Sequence, residues 1–152
     1  MKKILHSLFL FLSLLIASFY FSACKKDGNK VNITLHDKPL SVIQKYTKGS
    51  WKLQNEKGGF CGNCIFYPTD STFNLYLNLS SERIKLRNKH FQTLDTIIVW
   101  TIHVFNNSTY AFTFIDSTGI PFTFAADGIY NDTLVLYQPT PDGMSFYYTK
   151  SN

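Results

Sequence analysis

Cys61 and Cys64, set in Phe60-Cys61-Gly62-Asn63-Cys64, and a third cysteine at Cys24 are the residues of this sequence with the most chemistry open to them. A Cys-X-X-Cys pair can form a short disulfide, work as a redox couple or supply two ligands to zinc. Redox catalysis of the thioredoxin kind needs the first cysteine at a helix N-terminus, where its thiol pKa is lowered. Here the pair runs into Ile65-Phe66-Tyr67-Pro68, which reads as strand and stops at a proline. A zinc site needs two further ligands. The sequence has no second Cys-X-X-Cys and no paired histidine motif, and His90 and His103 stand apart. The expectation is a Cys61–Cys64 disulfide that locks a tight turn, with no metal and no cofactor. So short a loop removes little entropy from the unfolded chain.

No nucleophile motif, paired carboxylates or glycine-rich phosphate loop accompanies the cysteines, so no catalytic residue is assigned and an enzyme is not expected. Four aspartates open Asp70-Ser71-Thr72, Asp95-Thr96-Ile97, Asp116-Ser117-Thr118 and Asp132-Thr133-Leu134. These segments resemble the O-glycosylation acceptors of some Gram-negative bacteria. Each also reads as ordinary β chemistry, an aspartate in a turn followed by threonine at a strand start.

Cys24 calls for a different reading. Lys2 and Lys3 precede the apolar run Ile4 to Phe21, and Phe21-Ser22-Ala23 leads directly into the cysteine. A charged start, an apolar stretch and small residues before a cut make an export signal. A membrane-spanning helix would need about 20 apolar residues, close to the length of the run. The small residues before cysteine resemble the lipobox of bacterial lipoproteins instead. That resemblance implies cleavage before Cys24 and acylation of its sulfur and amino group. Two or more acyl chains anchor stably where one binds reversibly. Lys25 stands where an aspartate often retains lipoproteins at the inner membrane, so the expected location is the outer membrane, on its periplasmic face or at the cell surface. Residues 24–38 hold four lysines, two aspartates, a glycine and two asparagines, the composition of a flexible tether. His36 is expected to be a solvated residue within it.

Residues 1–23 removed, 129 of the 152 remain, and loss of Lys2 and Lys3 leaves 13 basic residues against 10 acidic ones, a net charge of +3. The basic residues form no stripe, which argues against nucleic acid. The remainder has the size of one domain, placed at residues 39–152.

The elements that must position the cysteines are mostly strands. Phe73, Leu75, Leu77 and Leu79 alternate with Asn74, Tyr76, Asn78 and Ser80, the period of a half-buried strand. Ile84 and Leu86 alternate with Arg83, Lys85 and Arg87 in a shorter strand. Thr96 to Phe105 reads as one strand, apolar on both faces around Trp100, and Asn106-Asn107-Ser108 as the turn after it. Tyr110, Phe112 and Phe114 follow, then Phe122 and Phe124, then Thr133 to Tyr137, and a last hairpin turns at Pro139 to Gly143 into Met144, Phe146 and Tyr148. Seven or eight strands at this spacing argue an all-β sandwich or barrel. The entry to the first strand is distinctive: Val42, Ile43 and Tyr46 share one face of a short helical turn, Gly49 ends it, and Trp51 and Leu53 begin to alternate.

Gly49-Ser50-Trp51 after a short helix resembles the Gly-X-Trp signature of lipocalins and their calycin relatives. More narrowly, the chain is similar to the lipocalin-like domain of small bacterial lipoproteins, which tend to end as this one does, in an Asp132-Thr133-Leu134 strand and a tyrosine-rich hairpin through Tyr147 and Tyr148. Lipocalins usually place an arginine near the last strand over the tryptophan; no arginine follows Arg87 here, and Lys150 stands in that region. The resemblance covers roughly residues 40–150 and implies an antiparallel up-and-down barrel of about eight strands whose closed end Trp51 plugs.

Such a barrel either fills its interior with side chains or holds one small ligand. Two functions are therefore open. In the first, a membrane-anchored lipoprotein holds a small hydrophobic ligand among Phe73, Trp100, Phe112, Phe122 and Phe124, in a cavity open opposite Trp51. In the second, the barrel is filled and serves as a rigid scaffold for an interaction or inhibitor protein, with an aromatic patch on its loops. The sequence names no protein partner.

Overall fold

The computed structural model describes residues 30–90, 93–105 and 107–151. In chain order these form β1 (Ile33–Thr34), α1 (Leu40–Thr47), β2 (Gly49–Gly58), a 3-10 turn (Gly59–Cys61), β3 (Ile65–Phe66), β4 (Tyr76–Leu79), β5 (Arg83–Arg87), β6 (Thr93–Ile97), β7 (Val99–Phe105), β8 (Asn107–Ile115), β9 (Pro121–Tyr130), β10 (Thr133–Tyr137) and β11 (Met144–Lys150). The strands make one antiparallel sheet in the order β6-β5-β4-β2-β11-β10-β9-β8-β7, with β1 on β9 and β3 on β2. Because β11 returns to pair with β2, the sheet curls into a nearly closed barrel.

The strand count is eleven among the described residues, more than the eight expected. Two of the extra strands are the two-residue β1 and β3. The third arises because the run read as one strand from Thr96 to Phe105 changes partner at Ile98: β6 bonds to β5 and β7 to β8. Side-chain alternation continues through the break, with Ile98 buried between exposed Ile97 and Val99. This is the seam of the barrel. It is held by Ile98 N–H donating to Glu82 O at 2.9 Å and by the Trp100 indole N–H donating to Ser81 O at 2.9 Å.

β4 begins at Tyr76 rather than near Thr72, because Thr69 and Thr72 close a turn on each other: Thr69 N–H donates to Thr72 Oγ1 at 2.8 Å and Thr72 N–H to Thr69 O at 3.1 Å. Leu75, Leu77 and Leu79 are buried as the alternation requires, while Phe73 stays 40% exposed. Asn107 and Ser108, expected in a turn, belong to β8. Asn106 lies outside the described residues, as do the expected export signal, Cys24 and the first part of the expected tether. The later part of the tether is built into the fold. Ile33 and Thr34 pair with Ile129 and Gly128, Leu35 is fully buried, and its N–H donates to Asp127 O at 2.7 Å. Val31, Ile33 and Leu35 alternate with Asn32, Thr34 and His36, a short period-two signal that the tether reading, based on composition, passes over.

At the start of β2, helix, strand and chain end meet. α1 is longer than the single turn expected, and Ile43 is fully buried in the core with Val42 and Tyr46 packed against it. Trp51 is 1% exposed and its indole N–H donates to Thr47 O at 2.7 Å, satisfying a carbonyl that the helix end leaves open. Lys150, opposite Trp51 in the β2–β11 ladder, lays its ammonium 4.2 Å from the indole centroid and donates to Lys48 O at 3.3 Å. Gly49 has φ +130°, and a Cβ there would stand 2.9 Å from Lys150 Nζ. The positive φ favours glycine, while the flexible Lys150 side chain could move aside.

Removing the buried indole leaves a cavity, and losses of this kind cost about 3–5 kcal/mol. Trp51→Ala is expected to lower unfolding stability by that amount in chemical denaturation of the chain from residue 30 onward. Leu35→Ala is expected to lose about 2–5 kcal/mol. A loss within error for Leu35→Ala would return residues 31–38 to the tether.

Candidate functional site

β2 crosses the barrel from Trp51 at one end to Gly58 at the other, roughly 20 Å at about 3.3 Å per residue. Its alternation does not run through unbroken. In the ladder with β11, Tyr148 faces Leu53 and Tyr147 faces Asn55, so Gln54 is skipped. This is a β-bulge, which re-aims the residues that follow it. Beyond it Glu56 stands opposite Phe146, a buried residue of the inner face. Without the bulge, the parity of Trp51 and Leu53 would turn Glu56 outward.

At Gly58 the chain leaves the sheet. Its φ is +113°, and a Cβ would come within 2.8 Å of Gly143 O. The 3-10 turn carries Cys61, and Cys61 and Cys64 are joined as a disulfide with Cα atoms 5.6 Å apart. β3 then pairs Phe66 with Glu56 and Ile65 with Lys57. The outcome is a mouth opposite Trp51, a cavity of about 660 Å³ lined by Phe60, Cys61, Cys64, Phe66, Tyr67 and Met144, with Glu56 among them. Its volume lies in the range of small-molecule sites. Phe60 is 99% exposed and Tyr67 73% exposed.

The polar groups near this mouth are few. Tyr148 is buried and accepts a hydrogen bond from Asn74 Nδ2 at 3.1 Å. Burial pushes its hydroxyl far above the usual phenol range, Asn74 partly offsets this, and the negative charge of Glu56 adds to it. Tyr148 is therefore a neutral O–H group at any working pH. Burial also raises the Glu56 carboxyl above its ordinary range. Among the described residues Glu56 has no ion-pair partner, whereas Asp95 pairs with Arg83 at 2.8 Å, Asp70 with Lys89 at 2.9 Å and Asp37 with Lys38 at 3.0 Å.

The five rings expected to line the interior lie in one chain of contacts. Centroid distances are 5.1 Å for Trp100–Phe112, 5.9 Å for Phe112–Phe124 and 6.2 Å for Phe73–Phe122. Phe114 joins the two halves, 5.9 Å from Phe124 and 5.7 Å from Phe122. Phe112 and Phe124 are buried, and Phe146 sits 5.1 Å from Phe124. These rings fill the space between them. Phe73 and Phe122 border a separate cavity of about 310 Å³ with Asn88, Thr93, Leu94 and Asp116. A third, more polar hollow of about 520 Å³ lies on the outer wall by His36, Asp127, Tyr137 and Tyr147. His36, expected to be a solvated tether residue, stands 3.6 Å from the Asp127 carboxylate and is partly buried.

Gly49 and Trp51 belong to the opposite end and serve the fold. Of the four aspartates expected in turns, Asp95 lies instead within β6, where it pairs with Arg83 across the ladder, and Asp70 pairs with Lys89. Asp116 Oδ1 accepts from Thr118 N–H, Thr118 Oγ1 and Ile120 N–H at 2.7–2.9 Å, and the Thr118 hydroxyl first, then the backbone of Ile120, holds its carboxyl below the usual range. Asp132 accepts from Val31 N–H at 2.9 Å. Among the described residues no group of three or more His, Cys, Asp or Glu side chains is placed to hold a metal ion, and no helix is long and apolar enough to cross a membrane. Sequence reading missed Glu56, Phe60, Phe66 and Met144 as partners; the exposed aromatics flanking the cysteines were the one available signal.

Compared with known proteins, the chain matches no family model, no curated protein and no solved structure.

Glu56 has a directional effect on stability. Below the ordinary carboxylate range, folded and unfolded chains both carry a protonated Glu56. As pH rises the unfolded chain ionises first, so stability falls until the folded carboxyl has ionised too. Glu56→Gln is expected to flatten this part of the profile and to be the more stable protein at neutral pH. Equilibrium denaturation of both proteins across acid to neutral pH checks it.

Proposed function

We propose that the protein is a non-enzymatic, membrane-anchored lipoprotein with a lipocalin-like barrel that takes a small hydrophobic ligand at its open mouth. The observation that carries this reading is the cavity of about 660 Å³ beside the disulfide loop, walled mainly by aromatic rings, sulfur and a methionine. This reading puts the ligand at the mouth rather than among the five aromatic rings of the interior. In support of a lipocalin-like barrel, Gly49, Trp51 and Lys150 form one unit at the other end, with the lysine ammonium where an arginine usually lies over the tryptophan. The anchor rests on the apolar run that ends in Ser22-Ala23-Cys24. Lipid on Cys24 would hold the barrel at the outer membrane, with residues 25–30 as the spacer.

A second reading has its own observation. Phe60 stands almost wholly free of the fold and Tyr67 nearly so, and exposed aromatic anchors of this kind are what protein interfaces bury. In that case the mouth is the docking surface of an interaction or inhibitor protein.

Two measurements test these readings. Cys24→Ala is expected to stay unprocessed by signal peptidase II and unlabelled by a palmitate analogue; normal labelling would remove the anchor. A neutral, environment-sensitive apolar dye is expected to bind the mouth, with Met144→Asp weakening it about tenfold or more, since a charge placed in an apolar wall is costly unless paired. Dye binding that ignores Met144→Asp would favour the second reading.

A further inference from the structure

Resting on the reading of the mouth as a binding site, we propose that its ligand is an amphiphilic organic cation, whose apolar body lies against Phe60, Phe66 and Met144 and whose ammonium group meets the Glu56 carboxylate. Three observations converge on this chemistry.

The bulge at Gln54 turns an acidic residue to the inner face, opposite buried Phe146. A carboxylate half withdrawn from water costs stability unless something compensates it. No cation of the described residues pairs with it, whereas Asp37, Asp70 and Asp95 pair with lysine or arginine at the surface. Lys57, the next residue, alternates to the outer face, where its ammonium lies 5.0 Å from the Tyr147 ring. The carboxylate is thus left to an incoming group.

The remaining wall suits the same ligand. Aromatic faces attract a cation, and Phe60, Phe66 and Tyr67 border the space beside Glu56. An anionic ligand would face Glu56 directly. A neutral one would cover the carboxylate without replacing the water it displaces, which leaves a desolvated charge without a partner. The chain after residue 23 is basic, at +3 (13 basic against 10 acidic residues), so the preference is local to the mouth and runs against the long-range field.

The test uses the full chain in lipid nanodiscs, with empty nanodiscs as the blank, and a series of one shape: phenylbutylammonium, phenylbutanol and phenylbutanoate, read by titration calorimetry. The amine is expected to bind roughly tenfold or more tightly than the alcohol, as a charge-assisted contact of about 1.5 kcal/mol or more implies, and the acid weakest. Glu56→Gln is expected to bring the amine down to the level of the alcohol and leave the alcohol unchanged, while Glu56→Asp retains part of the preference. Equal binding of amine and alcohol, both weakened by Met144→Asp, would overturn the cation while leaving the apolar mouth in place. Equal weakening of amine and alcohol by Glu56→Gln would also overturn it, as a general disturbance of the wall. Binding of no member above the blank would overturn the mouth and the cation together.

Discussion

The indole of Trp51 is the joint on which the barrel depends. Its N–H completes the last carbonyl of α1 at Thr47, its rings fill the core at that end, and its face receives the ammonium of Lys150 from the last strand. The helix and the first long strand, neighbours in sequence, are thereby held at one point with β11. A buried indole N–H without an acceptor would cost free energy, and here the acceptor is a helix carbonyl that would otherwise need one. Gly49 completes the arrangement by leaving room for Lys150 Nζ.

With one end closed in this way, function is left to the other. The interior between the two ends is occupied by contacts from Trp100 through Phe124 to Phe73, and close ring packing of this kind is worth more to the folded state than burial alone. The mouth differs because its walls come from the β2–β4 connection, where the chain leaves the ladder at Gly58 and is tied by Cys61–Cys64. Rings there have partners on one side only.

The seam shows how an almost closed barrel handles its remaining edges. β6 and β7 are one run of alternating side chains that exchanges β5 for β8 at Ile98. Unpaired strand edges are sites for association. The Trp100 indole, reaching back to Ser81 O, bridges part of the gap. A tryptophan that reads in sequence as a core or pocket residue thus does a second job as a hydrogen-bond donor across the seam.

Period-two alternation is a local property, and it is enough to read the all-β class, the buried faces of β4, β5, β8 and β11, and the entry through Ile43, Gly49 and Trp51. The disulfide was legible too, because a lone Cys-X-X-Cys leaves few partners. Other features depend on what lies across the sheet. The break at Ile98 arises because two different neighbours compete for one run. The bulge at Gln54 appears only when β2 is laid against β11. A bulge changes the parity of everything beyond it, so Glu56, outward by counting along the strand, becomes the inward carboxylate of the mouth. Counting residues along one strand determines which side chains share a face. Only pairing with the neighbouring strand, where one extra residue must be accommodated to keep the ladder in register, decides which face is inside.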